Sequence, residues 1–166
     1  MKKLYLARHA KSSWKEQDLD DFERPLNKRG KRDAPFIGQK LKEKNILPDL
    51  IISSPARRAI TTAKKLAEQM GYPEEKIVED ENIYEAGGGE LLSIIQRVDD
   101  KHNSLMMVGH NPAFTSLHNY IADQYIDNIP TCSVAFIELN VESWKEVEPN
   151  TGTLVDFLYP KKYFKS

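Results

Sequence analysis

Three short apolar runs, each broken off by a polar cluster, constrain this chain more than any other feature. Leu4-Tyr5-Leu6-Ala7 runs into Arg8-His9, Leu50-Ile51-Ile52 into Ser53-Ser54-Pro55, and Leu105-Met106-Met107-Val108 into Gly109-His110-Asn111-Pro112. Runs this short, two of them followed by helix-start chemistry, read as strands buried on both faces whose far ends open onto a polar rim. Helical stretches are expected between and after them: Leu26–Lys44 opened by Asn27 as a cap, Pro55–Met70, Gly89–Asp100 and Pro112–Ala122. Pro35 removes a backbone donor inside the first and is expected to kink it. Strand and helix in alternation imply right-handed crossovers and a mostly parallel sheet covered on both faces. Such sheets bind ligands at the carboxyl ends of their strands, which places His9, Ser54 and His110 along one rim. The last third changes character. Ser133–Leu139 and Thr153–Tyr159 are β-rich and flank Asn150-Thr151-Gly152, so a closing C-terminal β-hairpin is expected.

The chain has 166 residues, of which 40% are hydrophobic, a size that normally forms one domain with a real core. No internal repeat or linker divides it, so a single domain over residues 1–166 is expected. Lys and Arg total 24 against 25 Asp and Glu, and this balance gives no global electrostatic reason for nucleic acid or a membrane surface as partner. Any anion must be held locally. Cys132 is the one cysteine, which excludes an internal disulfide and paired-cysteine zinc spacings and fits a reducing compartment. The apolar run before Arg8 is too short for a signal peptide or membrane span, so a cytoplasmic location is expected.

An Arg-His pair at a strand end means little alone, but here it has company. Leu6-Ala7-Arg8-His9-Ala10, then Ser54-Pro55-Ala56-Arg57-Arg58-Ala59 with Thr62-Ala63, then Val108-Gly109-His110-Asn111-Pro112 occur in that order, each at the end of an apolar run. Together they resemble the histidine phosphatase superfamily. The short chain and the segment Arg24-Pro25-Leu26-Asn27-Lys28-Arg29-Gly30 look like its SixA-type phosphohistidine phosphatase branch, over essentially the whole length. The resemblance implies a three-layer α/β/α sandwich of the phosphoglycerate mutase-like kind. It also implies that His9 becomes transiently phosphorylated while Arg8, Arg58 and His110 surround the phosphate, with no cofactor and no metal.

Phosphoryl chemistry asks for these residue types on its own grounds. Charge spreads over three equatorial oxygens while an in-line nucleophile attacks, so catalysis is mainly positioning and positive cover. Arginine supplies planar bidentate donors. A neutral imidazole offers a lone pair, and neighbouring cations such as Arg8 and Arg58 lower the His9 pKa and keep it neutral. His110 can donate an N–H to a phosphate oxygen in either tautomer, and helices starting near Pro55 and Pro112 add backbone donors.

Arg57 and Arg58 cannot both point to one place on a helix. Arg58 matches the superfamily's spacing after Ser54, and Arg57 reads as a solvated charge. An alkoxide leaving group needs a proton, for which Glu85 in Ile83-Tyr84-Glu85-Ala86-Gly87 stands where the resemblance puts the general acid, with Glu81 as the alternative occupant. The SixA-type branch often lacks a carboxylate there, because the P–N bond of phosphohistidine breaks without strong acid help. Ala10 replaces a glycine common among relatives, and Lys15 an asparagine of the mutase-like ones, which weakens a mutase reading.

Only about fifty residues separate Arg58 from His110, too few for a long lid. An open site suits a phosphorylated side chain on a protein, or a small phosphorylated substrate, and it favours hydrolysis over phosphoryl retention. The alternatives are a phosphoryl mutase or transferase acting on a small metabolite, and a phosphate-binding module without catalysis. Four other features are set aside. Asp18-Leu19-Asp20-Asp21 follows Lys15-Glu16-Gln17 rather than an apolar strand and reads as a polar loop; Cys132 reads as an inert buried thiol. Gly87-Gly88-Gly89 lacks the rest of a P-loop and reads as a flexible rim, and His102 and His118 read as surface or packing residues.

Overall fold

The computed structural model describes residues 1–15 and 18–164. Glu16 and Gln17, which precede the run read as a polar loop, lie outside the described residues. The chain runs β1 (Lys2–Arg8), α1 (Lys28–Glu43), β2 (Leu50–Ser53), α2 (Arg57–Met70), β3 (Val78–Glu79), α3 (Gly88–Gln96), β4 (Ser104–Gly109), α4 (Ala113–Ile121), β5 (Val134–Leu139) and β6 (Gly152–Leu158). The strands form one six-stranded sheet in the order β3-β2-β4-β1-β5-β6. β1, β2, β3 and β4 pair in parallel, whereas β5 joins β1 and β6 joins β5 antiparallel.

Alternation along the strands assigns the two faces. Leu4, Leu6, Leu105 and Met107 point into one core with Leu91 and Ile95 of α3 and Phe114 and Leu117 of α4. Tyr5, Ala7, Met106 and Val108 point into the other with Ala34, Ile37 and Leu41 of α1 and Ala59, Ala63 and Leu66 of α2. Helices therefore cover both faces, and the expected α/β/α sandwich is what forms.

Asn27 caps α1 as expected, its side chain accepting the Gly30 N–H at 2.9 Å. The helix then runs to Glu43 through Pro35 without a break, so the expected kink does not end it. Its buried face, packed against α2, holds it through the missing backbone bond. Gly30 is required for a different reason: a Cβ there would lie 2.2 Å from the Lys11 carbonyl oxygen, which already accepts the Asn27 N–H.

Three expectations need adjusting. β5 and β6 pair as foreseen, but residues 140–151 join them and carry a 3-10 turn, Trp144–Glu146, with Trp144 fully buried. Burying that indole, rather than tight turn chemistry, shapes the connection, and Gly152 belongs to β6 itself. Gly87 caps α3 while Gly88 and Gly89 lie in its first turn, so the glycine run opens a helix instead of forming a loose rim. That helix ends at Gln96, short of Asp100. β3 has only two residues, both exposed, and no periodicity announces it. Among the described residues no helix is long and apolar enough to cross a membrane.

Candidate active site

Arg8 is the last residue of β1, and His9 follows it off the sheet edge. The backbone here is tied from several sides: His9 N–H donates to the Gly109 carbonyl at 3.0 Å, and Cys132 N–H to the carbonyls of both Arg8 and His9. Ala10 N–H donates to Thr62 Oγ1 at 2.9 Å, and that hydroxyl donates to the Arg58 carbonyl at 2.7 Å. One threonine on α2 thus links the segment that carries His9 to the turn that carries Arg58.

The structure brings His9, Arg8, Arg58 and His110 together. The His9 and His110 rings lie 5.3 Å apart, and His9, Arg58 and His110 are each less than a tenth exposed. His9 Nδ1 lies 2.7 Å from the Ala10 carbonyl oxygen. A carbonyl only accepts, so Nδ1 carries the hydrogen and Nε2 of the neutral ring keeps its lone pair. His110 Nε2 lies 2.8 Å from Ser54 Oγ. That oxygen also accepts the Ala56 N–H; with the hydroxyl hydrogen donated to Nε2, the His110 ring hydrogen lies on Nδ1.

Both histidines are held neutral. The His9 pKa falls to about 3, first through burial, then through His110, Arg58 and Arg8, against the opposing Ala10 hydrogen bond. That of His110 falls to about 4, again first through burial and then Arg58. The expected effect of the cations is present, but burial outweighs it.

Among the described residues, Arg8 Nε, Arg58 Nε and His110 Nδ1 are buried without a hydrogen-bond partner, three of six such side-chain atoms. Buried donors are almost always paired. Three that lack partners on three clustered residues form a set suited to an oxyanion. Arg8 is anchored by Nη1 on the Ile129 carbonyl at 3.0 Å. Arg57, by contrast, is exposed, with Nη1 only 3.5 Å from the Glu23 carbonyl. Of the adjacent arginines, Arg58 is the one turned into the cluster.

Among the described residues, no ion pair or hydrogen bond joins Glu85 or Glu81 to this set. Both are exposed and line a groove with Asn82, Glu90 and Arg97, and neither makes a hydrogen bond to the cluster. The carboxylate found there is Asp21, which the sequence placed in a polar loop. It begins a 3-10 turn, Asp21–Glu23, and its Oδ2 accepts from Arg58 Nη2 at 3.1 Å and from Tyr84 Oη at 2.6 Å. Arg24 holds its Oδ1 through Nε at 3.1 Å and reaches Ser12 Oγ at 2.8 Å with Nη1. The available signal was the i,i+3 spacing of Asp21 and Arg24 ahead of Pro25-Leu26. Tyr84 gave none beyond its place beside Glu85. The exposed Trp14 ring stacks on the Arg24 guanidinium at 3.4 Å.

The remaining residues keep to packing roles. Cys132 is buried, and burial pushes its thiol pKa far up. His118 is buried on α4 with Nε2 at 2.8 Å from the Gln124 carbonyl. His102 is partly exposed and its carbonyl accepts the Trp144 indole N–H.

Residues 4–94 match the model of the histidine phosphatase superfamily (branch 1). An uncharacterized chloroplastic protein of Arabidopsis thaliana is 31% identical over 91% of this chain and 72% of its own length. Among solved structures, a SixA from Agrobacterium tumefaciens superposes with a TM-score of 0.78 at 28% identity, covering 96% of this chain and 98% of that one. The protein histidine phosphatase SixA complexed with tungstate superposes with a TM-score of 0.83 over the same shares, and at 16% identity that likeness concerns the fold.

Proposed function

This chain belongs to the histidine phosphatase superfamily, in its SixA-type branch, and we propose that it hydrolyses phosphohistidine on a protein surface, or small phosphomonoesters, through a phosphate carried briefly by His9. The observation that carries this reading is the tautomer of His9. Nδ1–H is held on the Ala10 carbonyl, so Nε2 keeps its lone pair, and the ring lies within the electrostatic reach of Arg58 and Arg8, whose Nε atoms have no partner among the described residues.

The reaction follows in two displacements. Nε2 of His9 attacks phosphorus as the bond to the leaving nitrogen or oxygen breaks, and the leaving atom keeps the bonding pair and takes a proton from solvent. Water then attacks phosphorus and gives up a proton to solvent as the bond to Nε2 breaks, and inorganic phosphate leaves with the lone pair restored to neutral His9. Arg8, Arg58 and His110 Nδ1–H cover the equatorial oxygens, where charge concentrates in both steps. A positive set fixed by packing needs no reorganisation when the transition state forms.

The leaving group decides how much acid help is required. An alkoxide needs a donor, and Glu85, which lines an exposed groove, makes no hydrogen bond to the cluster among the described residues. A protonatable nitrogen needs less, which favours phosphohistidine over esters. The test is a panel of phosphohistidine protein, free phosphohistidine and small monoesters, assayed with the wild type and Glu85→Gln. Phosphohistidine should give the highest kcat/KM in both, with any loss in Glu85→Gln confined to monoesters. Phosphoryl transfer to an added sugar-phosphate acceptor in preference to water would instead identify a mutase.

A further inference from the structure

The Arg58 guanidinium already has an anion on it. Nη1 donates to the Asp21 carbonyl at 2.7 Å and Nη2 to the Asp21 carboxylate at 3.1 Å, so one residue occupies both terminal nitrogens. The same carboxylate takes hydrogen bonds from Tyr84 and Arg24. Arginine grips a phosphoryl group through two neighbouring nitrogens. The Arg58 Nε is without a partner among the described residues, but the Nη2 that would complete such a pair is held by the Asp21 carboxylate, so carboxylate and phosphate compete for Nη2.

We propose that Asp21 is an internal competitor for the phosphate position, weakening oxyanion binding and speeding release of inorganic phosphate. The inference rests on the phosphatase reading above. Asp21 is suited to the task. Its side chain is about half exposed, at 49%, so it can move out into water, and it sits in a three-residue turn rather than in a long helix. It also stays charged. Burial pushes its pKa up, but the Tyr84 hydrogen bond and the Arg58 and Arg24 charges outweigh that and hold it at about 2. Its field reaches the cluster, since it acts against the depression of the His110 pKa.

The opposite role, a brace that orients Arg58 for phosphate, uses the same contacts and differs in sign. Asp21→Asn decides between them, because asparagine keeps the shape and an acceptor oxygen for Arg58 while losing the charge and the second acceptor that Arg24 uses. Binding of tungstate and of inorganic phosphate is measured by calorimetry, and phosphate is also assayed as a product inhibitor. Competition requires both ions to bind roughly tenfold more tightly to Asp21→Asn, with kcat lowered as phosphate lingers. Tyr84→Phe, which keeps its edge-on packing against Phe22, should shift affinity the same way by less, and it decides the matter if Asp21→Asn does not fold. Unchanged or weaker binding in these variants, with a wild type that binds and turns over, overturns the competition and leaves the phosphatase reading standing. A wild type with neither oxyanion binding nor turnover overturns both.

Discussion

The imidazoles of His9 and His110 stand 5.3 Å apart between centroids and are inclined by 53°, neither stacked nor hydrogen-bonded to each other. One phosphoryl group can meet both at that spacing, with phosphorus on His9 and an equatorial oxygen on His110. His110→Ala is therefore expected to lower kcat by roughly 10²-fold or more, the effect of removing one transition-state donor. His110→Gln, which keeps an N–H, should recover part of that. Steady-state kinetics on phosphohistidine would show it, and a change confined to KM would remove His110 from the transition state.

The adjacent arginines make a sharper contrast. Arg58 is buried on the site and Arg57 is exposed. Arg58→Ala should reduce kcat/KM on the order of 10²- to 10³-fold, whereas Arg57→Ala should stay within about threefold, as for exposed charges. Equal losses in the two variants would show that the helix presents its face differently.

Thr62 is fully buried and serves two backbones at once, accepting from Ala10 N–H and donating to the Arg58 carbonyl. Thr62→Val keeps the volume and strands the Ala10 donor. A loss of about 1–3 kcal/mol in unfolding free energy is expected from that buried orphan, together with reduced kcat because the His9 segment loses its tie to α2. Urea melts and kinetics on the same preparation test both parts; full stability would mean the Ala10 donor finds another acceptor.

Acid should destabilise the fold through its two site histidines. Their folded pKa values, about 3 for His9 and about 4 for His110, lie below the ordinary 6.5. Between those limits the unfolded chain binds more protons, so unfolding free energy falls as pH drops below about 6.5 and keeps falling toward 4. Above 6.5 these groups contribute no slope. A series of urea midpoints should show this, and a His9→Asn/His110→Asn double variant should flatten it. Equal slopes in both proteins would assign the pH dependence to other groups.

Much of this site was legible before the fold, and for one reason. His9, Ser54 and His110 each end a buried strand, and parallel strands put their carboxyl ends on one edge, so local pattern was enough to gather them. Helical geometry said only that Arg57 and Arg58 could not share one direction; the choice of Arg58, the second residue of α2, came from the resemblance's spacing after Ser54. Asp21 could not be read this way. It meets Arg58 across 37 positions of sequence through an irregular segment, and no periodicity governs where such a turn lands. Glu85 came only from the family resemblance, and among the described residues it is exposed, lines a groove with Glu81 and Glu90 and makes no hydrogen bond to the histidines or arginines. The β5–β6 connection was obscured similarly, since its course depends on burying Trp144 against the distant α3 side of the core.

The most direct measurement of the central claim is capture of the phosphorylated enzyme. The protein is mixed briefly with labelled phosphohistidine protein, quenched in alkali and digested, and the peptides are sequenced by mass spectrometry. Acid-labile, alkali-stable phosphate is expected on His9 of the wild type, with none on that peptide and no turnover in His9→Ala. Full turnover by the wild type with no phosphate on His9 at any quench time, or undiminished turnover by His9→Ala, would contradict nucleophilic attack by His9.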